Sequence, residues 1–254
     1  MLKHYLNILL FILNCSVSFY LFKESNFFYY ALAISIFIFV VILSCGVLFL
    51  KFNYFLTATT SLKNGYCLLT FDDGPDPIYT PQILKVLREE NIKALFFIIG
   101  KKALENPALV KQIQAEGHLI GNHTFNHNIF LSLLPKKQIL KEIHEGDEAI
   151  QSIINQSTMY FRPPIGYTNP NYARVLKKLN LNTIGWSLRS YDTVYKQESK
   201  LIHRLINAIK KNDIVLFHDN LEITNNILPT FIRLAKEKDI IFVPLSYNEN
   251  VFND

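Results

Sequence analysis

The sequence predicts an α/β protein in which a short parallel barrel follows a helical hairpin of membrane-spanning length. Three observations carry this reading. From Gly65 onward, short apolar runs alternate with amphipathic stretches, the pattern of strands joined by helical crossovers. Six or seven such units in about 190 residues suggest a barrel smaller than the usual eightfold one. Residues 1–52, by contrast, hold only three of the 26 basic and one of the 21 acidic side chains.

The chain begins with two apolar segments. Tyr5–Phe22 carries no charge over 18 residues, and Phe27–Leu50 carries none over 24. A buried core helix rarely stays apolar on every face for so long. Lys23-Glu24-Ser25-Asn26 is a tight polar turn between them, so the two should form a transmembrane hairpin. A cleaved signal peptide, with Ser16-Val17-Ser18 as its small-residue site, is the rival reading of the first segment. It ranks second because the apolar run continues to Phe22. A hairpin places the amino terminus and everything after Lys51 on one side of an inner membrane. Lys3, the α-amine, Lys51 and Lys63 flank that side against Lys23 in the turn, which leans towards a cytoplasmic catalytic domain. The expected organisation is a hairpin over residues 1–52, a linker over 53–64 and a catalytic domain over 65–254.

In that domain the strand-like runs are Tyr66–Phe71, Ala94–Ile99, Leu119–Gly121, Tyr160–Arg162, Asn182–Trp186, Asp213–Phe217 and Ile240–Pro244. Helix-like stretches are Thr80–Glu90, Pro107–Glu116, Pro135–Ile154, Asn169–Leu179, Glu198–Lys210 and Asn226–Lys236. The second of these has Asn106 as N-cap, Pro107 at its first position and Gly117 just past its end. Beyond residue 52 the chain has 23 basic and 20 acidic groups, a net charge of +3, with no basic run longer than a pair. Nucleic acid is therefore excluded as a partner. Cys15, Cys45 and Cys67 lie in apolar segments or a strand and imply no disulfide framework.

Four motifs carry chemistry. Thr70-Phe71-Asp72-Asp73-Gly74-Pro75 ends the first strand, where α/β folds place ligands. Two ionised carboxylates in one site repel unless a cation offsets them, which argues for a metal on one and acid–base work for the other. Alone, the motif is more often a strand-capping turn. His123-Thr124-Phe125-Asn126-His127 follows the third strand, and its imidazoles share one face if the segment turns helically. Paired with the Asp-Asp turn it makes an Asp-His-His site, and such a donor set accepts zinc, cobalt, nickel or manganese. Arg162-Pro163-Pro164-Ile165-Gly166 has a stiff backbone and an Arg suited to a carboxylate, although by itself it reads as a surface turn. Leu216-Phe217-His218-Asp219 ends the sixth strand with an imidazole suited to proton transfer.

In order and spacing these motifs resemble the polysaccharide deacetylase family, the carbohydrate esterases that share a NodB homology domain. The resemblance covers about Gly65–Leu245. It implies a distorted (β/α)7 barrel of the NodB type and hydrolysis of an N-acetyl amide assisted by one divalent metal ion, zinc first. By the same resemblance Asp72 is the general base, and Asp73, His123 and His127 hold the metal. Arg162 orients the base and His218 is the general acid. Leu216 lines the acetyl pocket, and a backbone N–H near Ile165 faces the oxyanion. Ile165 stands where the family usually has Tyr. Arg189-Ser190-Tyr191-Asp192-Thr193 stands for an Asp-x-x-Asp-Trp motif, so Asp192 keeps the role of tuning the acid while Arg189 and Thr193 replace the first Asp and the Trp. Trp186 is read as core. The implied substrate is an N-acetylglucosamine-containing glycan such as peptidoglycan. The alternatives are a lipid-linked sugar deacylated at the membrane and a catalytically silent glycan-binding module. His4, His118, His144 and His203 are read as structural.

Overall fold

A computed structural model describes residues 1–247 and 250–252; the expected end of the catalytic domain at Asp254 lies outside them. Helices α1 (Leu2–Phe22) and α2 (Phe27–Leu48) form a hairpin. Phe11 packs on Phe39 and Phe19 on Phe28 between them. Outward, the pair displays large apolar side chains such as Leu9, Ile12 and Phe37. At 22 residues α2 is about 33 Å long, enough to cross a hydrocarbon core of about 30 Å. Both helices are long and apolar enough to span a membrane.

The hairpin is bonded to the rest of the chain. The Thr168 N–H donates to the carbonyl of Val47 (3.2 Å), Asn7 donates to the Tyr54 hydroxyl (2.8 Å) and Lys3 to the carbonyl of Phe52 (2.7 Å). Part of the stretch expected to be a linker is ordered on the domain: Ala58–Thr59 is strand β1, which pairs with a strand far along the chain. Its turn closes because the Asn53 side chain accepts the Ala58 N–H, a local bond that no apolar pattern signals.

The remaining strands are β2 (Tyr66–Gly74), β3 (Ala94–Ile98), β4 (Leu119–Asn122), β5 (Tyr160–Phe161), β6 (Asn182–Ile184), β7 (Leu188–Arg189), β8 (Ile214–His218) and β9 (Ile241–Phe242). All pair in parallel, in the order β1-β6-β5-β4-β3-β2-β8-β7, with β9 beside the start of β2. The expected (β/α) barrel is thus a curled parallel sheet. Around it lie α3 (Tyr79–Glu89), α4 (Gly100–Glu105), α5 (Pro107–Ala115), α6 (Lys136–Ile154), α7 (Pro170–Leu179), α8 (Glu198–Ala208) and α9 (Glu222–Lys236).

Side-chain alternation divides the sheet into two faces. Leu69, Phe71, Phe96, Val215 and Phe217 point outward and pack under the helices in the largest core cluster. Leu68, Leu95, Phe97, Tyr160, Ile184 and Ile214 form a second cluster inside the curl. Along β2 the inward positions then become polar, and on β8 the last of them does. Thr70 is opposite Leu216 and Asp72 opposite His218. The apolar layer is the floor, and the chemistry-bearing residues stand above it at the strands' C-terminal ends. At the start of α5, Asn106 occupies the N-cap without a side-chain cap bond. Its amide donates back to the Lys102 carbonyl of α4, because one helix ends where the next begins.

Candidate active site

Consecutive strand residues point to opposite faces, so Asp72 and Asp73 should not both reach one pocket. A bulge resolves this. On β3, Phe97 pairs with Asp72 and Ile98 with Gly74, which leaves Asp73 as the extra residue at φ 72°. The left-handed backbone turns the Asp73 carboxylate onto the same side as Asp72. Lys102 donates to the Asp73 carbonyl (2.7 Å) and holds the bulge from α4.

The His123–His127 pair does not come from a helical turn. Residues 123–127 form a loop with Thr124 at φ 70° and His127 at φ 54°. Asn122 closes it: its side chain accepts the Thr124 N–H (2.7 Å) and donates to the Ile143 carbonyl of α6 (2.7 Å). The two rings come to 4.8 Å between centroids. His123 donates from Nδ1 to the Arg162 carbonyl (2.7 Å), leaving Nε2 for the pocket.

Arg162 is not a surface residue. It is fully buried, and its donors are spent on the Ile184 and Gly185 carbonyls, the Thr70 hydroxyl and Asp72 Oδ1 (2.7 Å). Its guanidinium stacks on Phe97 at 4.1 Å. Asp72 is thereby held by one oxygen while Oδ2 lies 3.9 Å from His123 Nε2. On β8, His218 donates from Nδ1 to Asp192 Oδ1 (2.7 Å). Asp192 Oδ2 accepts from the His218 N–H and from the Thr224 hydroxyl, so this carboxylate is fixed from three sides.

Burial opposes protonation of His218, but its hydrogen bond to Asp192 and the charges of Asp192, Asp72 and Asp73 prevail, pushing it up to about 9. Burial likewise opposes ionisation of Asp192, yet His218, then Thr224 and Ser190, hold it below the usual carboxylate range. Asp73 is held well below that range too: burial works against it, and His123, then His127 and His218, outweigh burial. His127 is lowered by burial and by the neighbouring His123 charge, which favours its neutral, ligating form.

Asp72, Asp73, His123, His127 and His218 line one cavity of about 190 Å³, with Leu216, Ile165, Trp186, Arg189 and Thr193 completing its walls. Ile165 sits at φ 60°, an outlier for a β-branched residue. One donor atom each from Asp73, His123 and His127 lies within 4.8 Å of the others. Asp73 Oδ1 is 3.5 Å from His123 Nε2 and 3.2 Å from His127 Nε2. A tetrahedral ion with bonds of about 2.0–2.2 Å wants its donors roughly 3.3–3.6 Å apart, so the set fits a small divalent cation.

The cavity brings together Asp72, Asp73, His123, His127, Ile165, Leu216 and His218, while Arg162 and Asp192 stand behind the pocket residues they bond. Trp186 was expected in the core and instead is half-buried on the cavity wall. The strand ends at Ile184, and in the loop from 185 to 187 the ring faces the cavity and packs on Gly166. Four contributors escaped the sequence reading: Thr70, Lys102, Asn122 and Thr224. Thr70 shares the inward parity of Asp72 and was legible on that ground. Asn122 bonds the N–H two residues on, a local Asx-type turn that the sequence could have offered, whereas Lys102 and Thr224 act through tertiary contacts that leave no local signal.

A family model for polysaccharide deacetylase matches residues 60–184. A peptidoglycan-N-acetylglucosamine deacetylase of Bacillus cereus is 38% identical over 170 residues, which is 66% of this chain and 78% of that protein. Among solved structures, the Bc1960 peptidoglycan N-acetylglucosamine deacetylase matches with a TM-score of 0.69 and 29% identity over 73% of this chain and 89% of that one. BA3943, a CE4 family pseudoenzyme from Bacillus anthracis, matches with a TM-score of 0.66 and 26% identity over 70% of this chain and 63% of that one. With a relative this similar spanning most of both chains, the chain belongs to the polysaccharide deacetylase family, the CE4 carbohydrate esterases.

Proposed function

We propose that this chain is a metal-dependent hydrolase that removes N-acetyl groups from an N-acetylglucosamine-containing glycan, peptidoglycan or a related polysaccharide. In this reading residues 1–52 anchor it in a membrane and residues 65–254 form its catalytic part. One observation supports it above the others. A three-donor cation site shares a cavity with an arginine-held carboxylate and an aspartate-held imidazole. A silent glycan-binding module requires neither proton-transfer group.

Asp73, His123 and His127 would hold the cation, most suitably zinc, with cobalt, nickel or manganese accepted by the same donors. A bound cation supplies Lewis acidity, which acidifies water and polarises a carbonyl. The chain's own residues do the rest. Arg162 fixes Asp72 so that its second oxygen takes a proton from the attacking water. The water oxygen bonds to the carbonyl carbon, and the N–H of Ile165 donates to the developing oxyanion. As the carbon–nitrogen bond breaks, His218 gives its Nε2 proton to the departing amine. Acetate and a free amino sugar result. Leu216 gives the acetyl methyl an apolar wall.

Asp72→Asn tests the assignment of the base. It should lower acetate release by about 100-fold or more, with metal content unchanged. Undiminished release from the variant would remove Asp72 from the mechanism.

A further inference from the structure

The catalytic cavity does not end at the acid and the base. Ile165, Trp186 and Arg189 line it and also line a second cavity of about 520 Å³. The far wall of that second cavity is Leu48–Lys51, where α2 ends and the chain leaves the apolar hairpin. One groove therefore runs from the reacting groups to the end of a helix read as membrane-spanning.

The two walls are fixed relative to each other. The Val47 carbonyl is bonded to the Thr168 N–H, the Tyr54 ring packs on Gly46, and the Leu50 side chain fills the space beside Gly185. A groove held this way presents the catalytic cavity at a set height above the membrane surface.

Its chemistry is lopsided. The walls carry Lys51, Arg189 and Arg204 and no carboxylate. Arg189 and Arg204 both lie over the Tyr191 ring, at 5.3 and 4.6 Å. Arg204 is anchored by donating to the carbonyls of Arg189 and Ser190. The Nε of Arg189 is buried with no hydrogen-bond partner, and among the described residues no acidic side chain pairs with Lys51, Arg189 or Arg204. Two guanidiniums are thus gathered on one aromatic ring without a carboxylate to offset them, and their planar forks match phosphate. Beside these cations, Leu48 and Phe49 are about half exposed (45% and 48%), an apolar surface continuous with the hairpin.

We propose that this groove binds an N-acetylated sugar joined through a phosphate to a membrane-embedded apolar chain. The sugar enters the catalytic cavity, Arg189, Arg204 and Lys51 take the phosphate, and Leu48 and Phe49 meet the first carbons of the chain. This rests on the deacetylase reading and narrows its substrate to a glycan still attached to its lipid. It also gives the replacement of the family's acidic residue by Arg189 a purpose, since a carboxylate there would repel the phosphate.

The test uses the full chain in detergent micelles and compares acetate release from three probes. The first is N-acetylglucosamine linked by a phosphodiester to a short prenyl chain. The second has the same sugar and chain joined by an uncharged ether. The third is the methyl phosphodiester without the chain. The expected kcat/KM for the first exceeds that of each of the others by about tenfold or more. The ratio of first to second should fall about tenfold in Arg204→Gln and several-fold in Lys51→Gln, whereas general damage would lower both rates together. Should Arg204→Gln fail to fold, Lys51→Gln, on an exposed side chain, and the wild-type comparison still decide. Equal rates on the charged and uncharged lipids, unmoved by either variant, overturn the phosphate site. A methyl phosphodiester used as well as the lipid overturns the lipid assignment. Turnover of an uncharged N-acetylglucosamine oligomer without these preferences sinks this proposal alone. No turnover of any probe or of that oligomer sinks the deacetylase reading, and this one with it.

Discussion

At the scale of single residues, the site depends on paired groups in which one member holds the other. Arg162 holds Asp72, and Asp192 holds His218. The second pair makes a pH prediction with a defined sign. His218 is pushed up to about 9 in the folded chain, above its ordinary value of 6.5. It is therefore protonated and able to donate at neutral pH, and activity should fall as pH rises through that value. Its contribution to stability has the same sense, full below pH 6.5 and lost as pH rises towards 9. Asp192→Asn removes the charge that raises His218, so the alkaline limb of the pH–rate profile should move to lower pH, with kcat down about 100-fold. An unmoved limb would show that His218 is not the titrating acid. Asp72, Asp73 and His218 were legible as residue types at strand ends. That both carboxylates face one pocket was not, because it requires the bulge at Asp73, and a bulge is set by register with β3 rather than by local sequence.

At the scale of elements, amphipathic helices and apolar strands were readable because their periodicity reflects one buried face. The elements that escaped were too short for a period: two-residue β1 and β7 and six-residue α4. The i, i+4 spacing of His123 and His127 suggested a helical turn. A loop pinned by Asn122 produced the same proximity, since two left-handed residues fold the chain back as tightly. The junction between β3 and β4 makes its own prediction. His118, just before β4, is buried, and its Nδ1 accepts the Ala94 N–H at the start of β3 (3.2 Å). Burial first, and then the Lys93 charge, lower it to about 4. Its stabilising contribution is full above pH 6.5 and is lost as pH falls towards 4, roughly 3 kcal/mol in all. His118→Asn keeps an acceptor without the titration. Thermal unfolding in detergent between about pH 7 and 4.5 should show a shallower acid-side loss in this variant. An identical slope would place the acid sensitivity elsewhere.

At the scale of the whole molecule, the hairpin and the catalytic domain are joined through Tyr54. Its hydroxyl bonds Asn7 on α1 and its ring packs on Gly46 of α2. Tyr54→Ala removes both contacts and leaves a void beside Gly46. Limited proteolysis within residues 49–57 should then accelerate several-fold while the rest of the domain stays resistant. Unchanged cleavage would mean that the Thr168–Val47 and Lys3–Phe52 contacts hold the hairpin without Tyr54. None of this docking was visible in the sequence, where residues 53–64 read only as polar and aromatic spacing. Two apolar segments followed by a strand–helix alternation describe the parts, and the groove between them appears only when both are in place.

Everything proposed for this chain rests on metal-dependent deacetylation in the cavity at Asp73, His123 and His127. The measurement that bears on it without intermediaries is acetate release from an N-acetylglucosamine oligomer by the full chain, before and after stripping with a chelator and after adding zinc back. Activity should be lost on stripping, restored by about one equivalent of zinc, and not restored in His123→Ala. Release that persists undiminished in the stripped protein would refute the metal-dependent mechanism.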